Sequence, residues 1–322
     1  MDRIITAGVA VVGVPVVLLG YLILGERILE RLPGRLQSWF RPYFWALPAI
    51  AFATIFMVIP TINTAILSFY NRDSTEFVGF ANYKYFFTFP DTLLSLRNSL
   101  FWLVFFTGMS VFLGLIIAIL VDRVGYESIA KIAIFLPVPI SAVAASVIWK
   151  FVFDYQPPGA VQTGSLNASL GTVGFQPVAW LTNKTTNNAA LIFIGIWTAT
   201  GFCMVIISAS LKAISSEILE AARIDGASEL RIVRLIVTPL LWPTITVVGT
   251  TMIITALKVF DIVYVLTAGA YDTNVIAVNM FQQLTGGGHF GRAAAVGVVL
   301  FLAIVPLLVI NVRRFQQQEE MR

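Results

Sequence analysis

The sequence predicts an all-α, polytopic membrane protein with about seven transmembrane helices. Of its 322 residues, 58% are hydrophobic and 12% are charged, which is typical of integral membrane proteins and not of soluble domains. A helix that crosses a hydrocarbon core of about 30 Å needs about 20 apolar residues. Seven stretches reach that length: 4–24, 43–69, 99–121, 131–153, 189–211, 244–266 and 293–311.

The first stretch, 4–24, has the position and length of a signal peptide. One arginine precedes it, no small-residue cleavage site follows Leu24, and four arginines come next. We therefore expect a retained helix. Residues 25–42 are interpreted as an amphipathic, Arg-rich cytosolic linker with Trp39 and Phe40 at the lipid headgroups.

The distribution of Lys and Arg predicts the orientation. One set of loops is rich in these residues and the opposite set is poor, and cytoplasmic loops carry the excess. The N-terminus is therefore expected outside and the C-terminus in the cytoplasm. The rich set consists of Arg27, Arg31, Arg35, Arg41, Arg123, Lys131, Lys212, Arg223, Arg231, Arg234, Arg313, Arg314 and Arg322; the poor set consists of Arg3, Arg72, Lys84, Arg97, Lys184 and Arg292.

Several classes of function are disfavoured by what the sequence contains. Its single cysteine, Cys203, lies inside an apolar run, and its single histidine, His289, lies in a Gly-rich loop, so no disulfide framework or Cys-rich metal site is expected. No G-x-x-x-x-G-K-[ST] phosphate loop occurs, and we expect neither catalytic residues nor ATP hydrolysis by this chain. The net charge of +4 is spread over several loops, which argues against nucleic-acid binding.

Polar and helix-breaking residues inside the apolar stretches indicate a transport path. Pro60, Pro137 and Pro139 remove helix hydrogen bonds, and broken helices are common where a transporter lines a polar cavity. Lys258 and Asp261 are three residues apart, so we expect them to share a helical face and to be able to pair. Such a pair could be an interfacial structural feature, a substrate contact or an ion relay.

One polar segment, 216–239, separates two long apolar runs and predicts two short helices. Ser216 is the expected N-cap of the first helix, and Gly226 suits the left-handed position that follows its end. Ser228 is expected to cap the second helix, and Pro239 is expected to close it.

The spacing within this segment resembles the EAA loop of ABC-importer permeases. Glu220-Ala221-Ala222, Gly226, Ile236 and Pro239 all fall in register, and only Thr238 departs, where the family usually has Leu. The resemblance implies a coupling helix that docks into a groove of a cytosolic ATPase. The residues implied in that contact are Glu220, Ala221, Ala222, Asp225 and Gly226.

Three further segments resemble carbohydrate permeases of the maltose type. They are the G-x-x-N-Y run at Gly79–Tyr83, the aromatic run Trp149–Asp154, and Phe260–Thr267, which resembles F-D-x-x-Y-x-L-T. The family usually continues with Gly-Gly-Pro, whereas this chain has Ala268-Gly269-Ala270. That departure resembles an α-glucoside and compatible-solute branch.

The resemblance implies a six-helix permease core after one peripheral helix. The expected divisions are 1–42 (first helix and linker), 43–312 (permease domain, with the coupling loop at 212–243) and 313–322 (cytosolic tail). By position relative to Glu220, it implies a substrate path along Ser141, Ala144, Ala199, Phe202, Met252, Thr255, Ala256 and Phe260.

The implied function is one permease subunit of an ATP-driven importer of a sugar or sugar-like osmolyte in a bacterial inner membrane. The implied partners are a second homologous permease, a cytosolic ATPase dimer that binds ATP and Mg²⁺, an extracytoplasmic solute-binding protein and the lipid bilayer, with no nucleic acid. No cofactor is expected in this chain. An ABC permease for a non-carbohydrate solute and an ion-driven secondary transporter remain open alternatives.

The loop at 154–188 is either a contact for the solute-binding protein or a solvated connector. It contains two glycosylation sequons, at Asn167 and Asn183. We expect both to be unused in a bacterial importer.

Overall fold

The computed structural model describes residues 2–31, 33–122 and 124–320; the side chains of 2–11, 14, 18, 307 and 311–320 are not described. The chain divides into two compact units, 1–63 and 64–322. Within the described residues the structure is helical, and the β-type pairing found is one isolated bridge between Tyr70 and Phe77.

The helices described up to residue 172 lie both within the predicted apolar stretches and between them. They are α1 (Asp2–Leu29), α2 (Gly34–Ala53), α3 (Ile59–Leu67), α4 (Ala81–Thr88), α5 (Pro90–Phe101), α6 (Thr107–Val121), α7 (Glu127–Phe135), α8 (Ala142–Val152) and α9 (Ser165–Thr172).

The remaining helices complete the second unit. They are α10 (Asn187–Leu211), α11 (Ser216–Ile224), α12 (Glu229–Ile232), α13 (Thr238–Leu257), α14 (Asp261–Thr267), α15 (Ile276–Thr285) and α16 (Phe290–Glu320). Single π-helical turns at Thr54–Val58, Trp102–Phe106 and Val233–Val237 join α2 to α3, α5 to α6 and α12 to α13 without a break.

Five helical runs among the described residues are long and apolar enough to cross a membrane. They are Gly34–Leu67, Pro90–Val121, Asn187–Leu211, Glu229–Thr267 and Phe290–Ile310. Five of the seven predicted spans are thereby matched. The predicted span at 4–24 falls in α1, where the side chains of 2–11, 14 and 18 are not described, and the one at 131–153 is divided into two shorter helices.

Some of the prolines break their helices and others do not. The expected break at Pro137 and Pro139 is confirmed, because α7 ends at Phe135 and α8 starts at Ala142. Pro60 and Pro239 do not break their helices: each follows a π turn. A proline ring clashes with the carbonyl four residues earlier, and the wider π turn is one arrangement that accommodates it.

The segment 25–42, predicted as a linker, is helical in both of its parts. Residues 25–29 belong to α1, and α2 begins at Gly34 and continues directly into the apolar stretch. Inside the first unit, the ring of Tyr21 stacks on Phe44 at 4.5 Å, and Arg41 pairs with Glu26.

In the second unit, α10 is the central helix. It is apolar around its circumference and more than half buried, as expected for a helix enclosed by others. Gly114 of α6 allows a close crossing, because a Cβ at that position would lie 2.5 Å from the Cβ of Cys203 in α10. The packing of α10 against its neighbours fixes the positions of the residues described next.

Candidate functional site

The predicted coupling segment forms a short, exposed helix, α11, followed by a tight turn. Ser215 is the N-cap, since its hydroxyl accepts a hydrogen bond from the Glu217 backbone N–H at 3.2 Å. The prediction of Ser216 as the cap was therefore wrong by one residue. Side-chain caps of this type satisfy backbone donors at a helix start.

The end of α11 confirms the role expected for Gly226. Its φ is +80°, its N–H donates to the Arg223 carbonyl at 3.0 Å, and the Ala227 N–H donates to the Ala222 carbonyl at 3.0 Å. This pair of hydrogen bonds is the Schellman motif, which satisfies carbonyls that the helix end leaves free. The helix α11 thus ends two residues after the Glu-Ala-Ala run.

The second half of the segment differs from the prediction. Ser228 lies at the N-cap position of α12, but its side chain makes no capping hydrogen bond. Pro239 does not close this helix, because α12 passes through a π turn into α13. An exposed ion pair between Arg223 and Glu229, with Nε and Oε1 2.8 Å apart, joins the two helices across the turn. This hydrogen bond to Glu229 raises the pKa of the Arg223 guanidinium.

Four of the five predicted coupling residues lie on the surface. Glu220, Ala221, Asp225 and Gly226 are exposed, while Ala222 is half-buried against the core. The neighbouring Ile224 is 85% exposed. An apolar side chain of that size in water beside a run of small residues is typical of a contact surface for another protein.

A charged cluster ties the start of α7 to the segment that leads into α11. The Glu127 carboxylate accepts from Lys131 at 2.5 Å and from Lys212, at the end of α10, at 2.9 Å. These two hydrogen bonds lower the pKa of Glu127, and the bond to Glu127 raises the pKa of Lys212. Sequence reasoning used both lysines only as orientation signals and missed the cluster.

A cavity of about 400 Å³, here named the central cavity, lies where three helices depart from regular geometry. These places are the π turn at Trp102–Phe106, the break between α7 and α8, and the break between α13 and α14. The lining residues are Trp102, Phe106, Val138, Ile140, Ala142, Gly195, Thr198, Ala199, Ile254, Thr255, Lys258, Val259, Phe260, Asp261 and Ile262.

The structure brings three of the eight predicted path residues to this cavity: Ala199, Thr255 and Phe260. The other five lie elsewhere. Ser141 caps α8 by accepting from the Ala144 N–H at 3.2 Å. Phe202 packs against the apolar core, to which the buried residues Met252 and Ala256 belong. The distance of a residue from Glu220 in the sequence predicts which helix the residue lies on. It does not predict whether the residue faces the cavity.

The expected pairing of Lys258 with Asp261 is wrong. The helix α13 ends at Leu257 and α14 begins at Asp261, so the two residues do not share a helical face. No ion pair joins them within the described residues, although both line the central cavity. Lys258 follows the C-terminus of one helix and Asp261 lies in the first turn of the next, so each charge has a favourable helix dipole.

Sequence reasoning missed Trp102. This side chain is 1% exposed, lines the central cavity, and its indole Nε1–H has no acceptor among the described residues. Buried Trp N–H groups usually find a partner, so this donor is available to a ligand oxygen. Thr198 and Thr255 also line the cavity, and their hydroxyls donate to their own helices, to the Gly195 carbonyl at 2.8 Å and the Thr251 carbonyl at 2.9 Å.

Two sequence segments that resemble carbohydrate permeases have structural roles. Asn82 of the G-x-x-N-Y run donates to the carbonyls of Ser68 and Tyr70 at 2.9 and 2.8 Å, and the hydroxyls of Tyr83 and Ser68 lie 2.6 Å apart. The run therefore fixes α4 against the end of α3. In the F-D-x-x-Y-x-L-T run, the hydroxyl of Thr267 bonds that of Thr273 at 2.7 Å.

The loop at 154–188 is organised around Asn167, which is buried. Its amide donates to the carbonyls of Asp154 and Val178 and accepts from the Val178 N–H and the Trp180 indole N–H, each at 3.0 Å. With all four contacts made inside the fold, Asn167 is not accessible as a glycan acceptor. The contacts of Asn167 fold the loop, and both alternatives, a contact for the solute-binding protein and a solvated connector, stay open.

The comparison with known proteins decides the family. Residues 17–318 match the family of binding-protein-dependent transport system inner membrane components. The chain belongs to this family. The chain is therefore a membrane-embedded permease subunit of a transport system. This result excludes the alternative of an ion-driven secondary transporter.

Similar proteins are found in two bacteria. The osmoprotective compounds uptake permease protein GgtC of Synechocystis sp. is 51% identical over 275 residues, which cover 85% of this chain and 99% of that protein. The alpha-glucoside transport system permease protein AglF of Rhizobium meliloti is 43% identical over 280 residues, covering 87% and 83%.

A solved structure shares the fold. It is that of a bacterial ABC transporter involved in the import of the acidic polysaccharide alginate, with a TM-score of 0.73 and 23% identity, covering 89% of this chain and 99% of the other. The helical permease fold predicted from the sequence is thereby confirmed.

Proposed function

We propose that this chain is one of two permease subunits of an ATP-driven importer for a sugar or sugar-like osmolyte. The exposed helix α11, with Glu220 and Asp225 at the surface and a Schellman turn at Gly226, is the observation that carries the proposal. A transporter without its own phosphate loop needs a contact through which a separate ATPase acts, and α11 has the exposure and the residues for that contact.

The class of substrate is supported by the two relatives, whose names specify osmoprotective compounds and alpha-glucosides. The central cavity has suitable chemistry. A sugar offers hydroxyl groups to polar side chains and a C–H face to an aromatic ring. Trp102 supplies a free donor, Phe260 supplies a ring, and Lys258 and Asp261 supply a cation and an anion.

The partners proposed are a second homologous permease, an ATPase dimer that holds ATP and Mg²⁺, and an extracytoplasmic solute-binding protein. ATP closes the ATPase dimer and moves α11, and the helix bundle changes the side to which the central cavity opens. The two states need different free energies of interaction with ATP and with the loaded binding protein, since a ligand that binds both states equally shifts neither.

The orientation proposed places α11 and the C-terminus in the cytoplasm and the N-terminus outside, in a bacterial inner membrane. The excess of Lys and Arg in the loops on the α11 side supports it. The loops at 70–80, 154–186 and 268–275 then face the solute-binding protein.

The test is a charge reversal, Glu220→Lys, in the assembled transporter reconstituted in vesicles with its binding protein. We expect uptake of glucosylglycerol or trehalose to fall to the level of vesicles without ATP, because the contact with the ATPase groove is lost. The amount of inserted transporter should be unchanged.

The matched control is Glu217→Lys, an exposed residue in the first turn of the same helix, which should retain most of the uptake. Full uptake by Glu220→Lys would overturn the coupling role of α11. Uptake of phosphate or a polyamine, with none of either sugar, would overturn the substrate class.

A further inference from the structure

A second cavity, here named the loop cavity, lies beside the segment 268–275 and has a volume of about 410 Å³. Its walls come from that segment, from α15, and from α4 and α5. None of its lining residues is shared with the central cavity. The lining residues are Tyr85, Asp91, Leu94, Ala268, Gly269, Ala270, Tyr271, Asp272, Asn274, Asn279, Gln282 and Gln283.

The wall formed by 268–275 is held by side-chain amides from other helices. Asn98 donates to the carbonyls of Asp272 and Asn274 at 2.7 and 2.8 Å, and Asn187 donates to the Tyr271 carbonyl at 2.7 Å. These bonds hold the backbone in an unfavourable conformation, because Ala268, Tyr271 and Asp272 all have φ between 50° and 64°. Non-glycine residues adopt that region only when the surroundings compel them.

In the cavity wall, the side-chain oxygen atoms of two buried asparagines accept no hydrogen bond among the described residues. Asn274 is 9% exposed and Asn279 is 3% exposed, and the Oδ1 atom of each has no hydrogen-bond partner among the described residues. Asn274 uses its Nδ2 to donate to Gln282 at 2.9 Å. A buried carbonyl oxygen without a donor raises the free energy of the fold, and an O–H or N–H group of a ligand in the cavity is one source of that donor.

The remaining lining residues indicate the chemistry of that ligand. They offer amides, one carboxylate at Asp91 and two tyrosine rings, and no Lys or Arg. The carboxylate of Asp272 is already paired with Lys184 at 2.6 Å. One side of the Tyr85 ring carries the Arg292 guanidinium, 3.8 Å from the centroid, whereas Tyr271 is about half exposed and can stack on a ligand.

Amides, a carboxylate and an aromatic face together suit a neutral molecule with many hydroxyl groups. The volume falls within the range of small-molecule sites, which is about 300–1,000 Å³, and far exceeds what a single ion or water occupies. A ligand of one or two sugar rings fits both the size and the donors required.

We propose that the loop cavity is a second binding site of this chain for a neutral polyhydroxylated solute, separate from the central cavity. The identity of the solute class rests on the proposed function, whereas the site itself rests on the two unpartnered amides. In the proposed orientation this site meets a solute before it reaches the central cavity.

The test measures protection of an introduced cysteine from a maleimide. Gln283→Cys places the thiol in the loop cavity, while the native Cys203 is buried. The full chain, assembled with its partner permease and ATPase in nanodiscs, is labelled with and without trehalose, glucosylglycerol or sucrose as single probes, without binding protein. We expect at least one probe to slow the labelling of Gln283→Cys about tenfold. Val161→Cys, at a residue 88% exposed in the loop at 154–188, should be labelled equally in both conditions.

Asn279→Leu is the variant that tests the mechanism of binding. It removes an unpartnered oxygen at similar volume, so the thermal stability should be retained while protection at Gln283→Cys is lost. Leu94→Trp, which fills the cavity from another wall, should give the same loss. Thr198→Cys in the central cavity should still be protected in the Asn279→Leu background, which excludes a conformational effect transmitted from that cavity.

Equal labelling of Gln283→Cys with and without every probe would overturn the site, whatever happens at Thr198→Cys. Protection that appears only when unliganded binding protein is added would also overturn it, because the cavity would then be a docking pocket for protein. Uptake by the wild type is measured separately. Uptake without protection refutes the site alone, and protection without uptake refutes the proposed function alone.

Discussion

The coupling turn at 224–229 and the loop at 268–275 differ in how their left-handed backbone is stabilised. Both follow a short helix and both use left-handed backbone. The coupling turn uses one glycine, Gly226, with open space where its Cβ would be. The loop at 268–275 places Ala268, Tyr271 and Asp272 in that conformation in addition to Gly269, and amides from distant helices bond to its backbone.

The difference shows what each region is suited to do. The backbone hydrogen bonds of the coupling turn are local, and the exposed side chain of Ile224 can meet another protein. The loop at 268–275 receives bonds from Asn98 and Asn187, which are distant in sequence. Its shape therefore depends on the whole core, as expected for a wall that must keep a fixed geometry.

The largest effect on this comparison is expected from Asn98→Ala. The substitution removes the donor to the part-buried carbonyl of Asp272 and the buried carbonyl of Asn274. The Asn274 carbonyl loses this donor, at a cost of about 1–3 kcal/mol, and the Asp272 carbonyl keeps only the long contact from Asn188, at a further cost of about 1 kcal/mol. We therefore expect a loss of about 2–4 kcal/mol in the free energy of unfolding. Equilibrium unfolding of the chain in mixed micelles measures it.

The control is Asn188→Ala. Its amide contacts the Asp272 carbonyl at 3.4 Å, a long and weak hydrogen bond, and we expect a loss below about 1 kcal/mol. A loss in Asn98→Ala as small as that expected for Asn188→Ala, below about 1 kcal/mol, would show that the loop at 268–275 does not depend on Asn98.

A smaller effect is expected from Gly226→Ala in the coupling turn. The φ of +80° costs a residue with a Cβ about 1–2 kcal/mol, and no neighbour would clash with the new methyl group. The free energy of unfolding should therefore fall by about 1 kcal/mol. The free energy of unfolding should fall less in Gly226→Asn, since Asn tolerates the left-handed region better than Ala does. A stability of the Ala variant equal to that of the wild type would contradict the Schellman turn.

The smallest effect concerns the cluster of Glu127 with Lys131 and Lys212. Its hydrogen bonds lower the pKa of Glu127 below its ordinary value of 4.5 and raise the pKa of Lys212 above 10.5. A lowered carboxyl pKa contributes stability above its unfolded value, and the contribution is lost as the pH falls through the folded value. The raised lysine pKa contributes below its unfolded value, and the contribution is lost as the pH rises through the folded value.

The contribution of the cluster should therefore be constant between about pH 5 and pH 10. The melting temperatures of the wild type and of Glu127→Gln should differ slightly at pH 7 and converge as the pH falls below 4.5. Tyr126→Phe, at the exposed neighbouring residue, serves as control and should show no such convergence. A difference that persists unchanged to low pH would assign it to packing rather than to charge.

The sequence predicted best those features that depend on neighbours along the chain. Apolar runs gave the helices, and Gly226 gave the end of α11, because helix length and left-handed backbone are local properties. The Ser215 cap was missed by one residue, and the effect of Pro239 was misjudged, because a π turn ahead of a proline leaves no mark in residue order. The pairing of Lys258 with Asp261 failed because it assumed that one helix was unbroken.

The residues that line the central cavity could be predicted only in part from the sequence. Ala199, Thr255 and Phe260 were predicted for the path and line the cavity, but Met252 and Ala256, on the same stretch as Thr255, point into the core. Trp102 went unnoticed, because nothing in an aromatic-rich apolar run marks which indole N–H will lack a partner. The faces of helices are assigned by packing against other helices.

By itself the sequence determined that this chain is a helical membrane protein and where the short helix α11 ends, because hydrophobic burial and helix ends follow from residues close together in the chain. Only the tertiary structure decided where the helices break, which side chains meet in the two cavities, and which buried polar atoms are left without a partner. Those outcomes depend on contacts between residues far apart in sequence, such as Asn98 with Asp272, which no local pattern encodes.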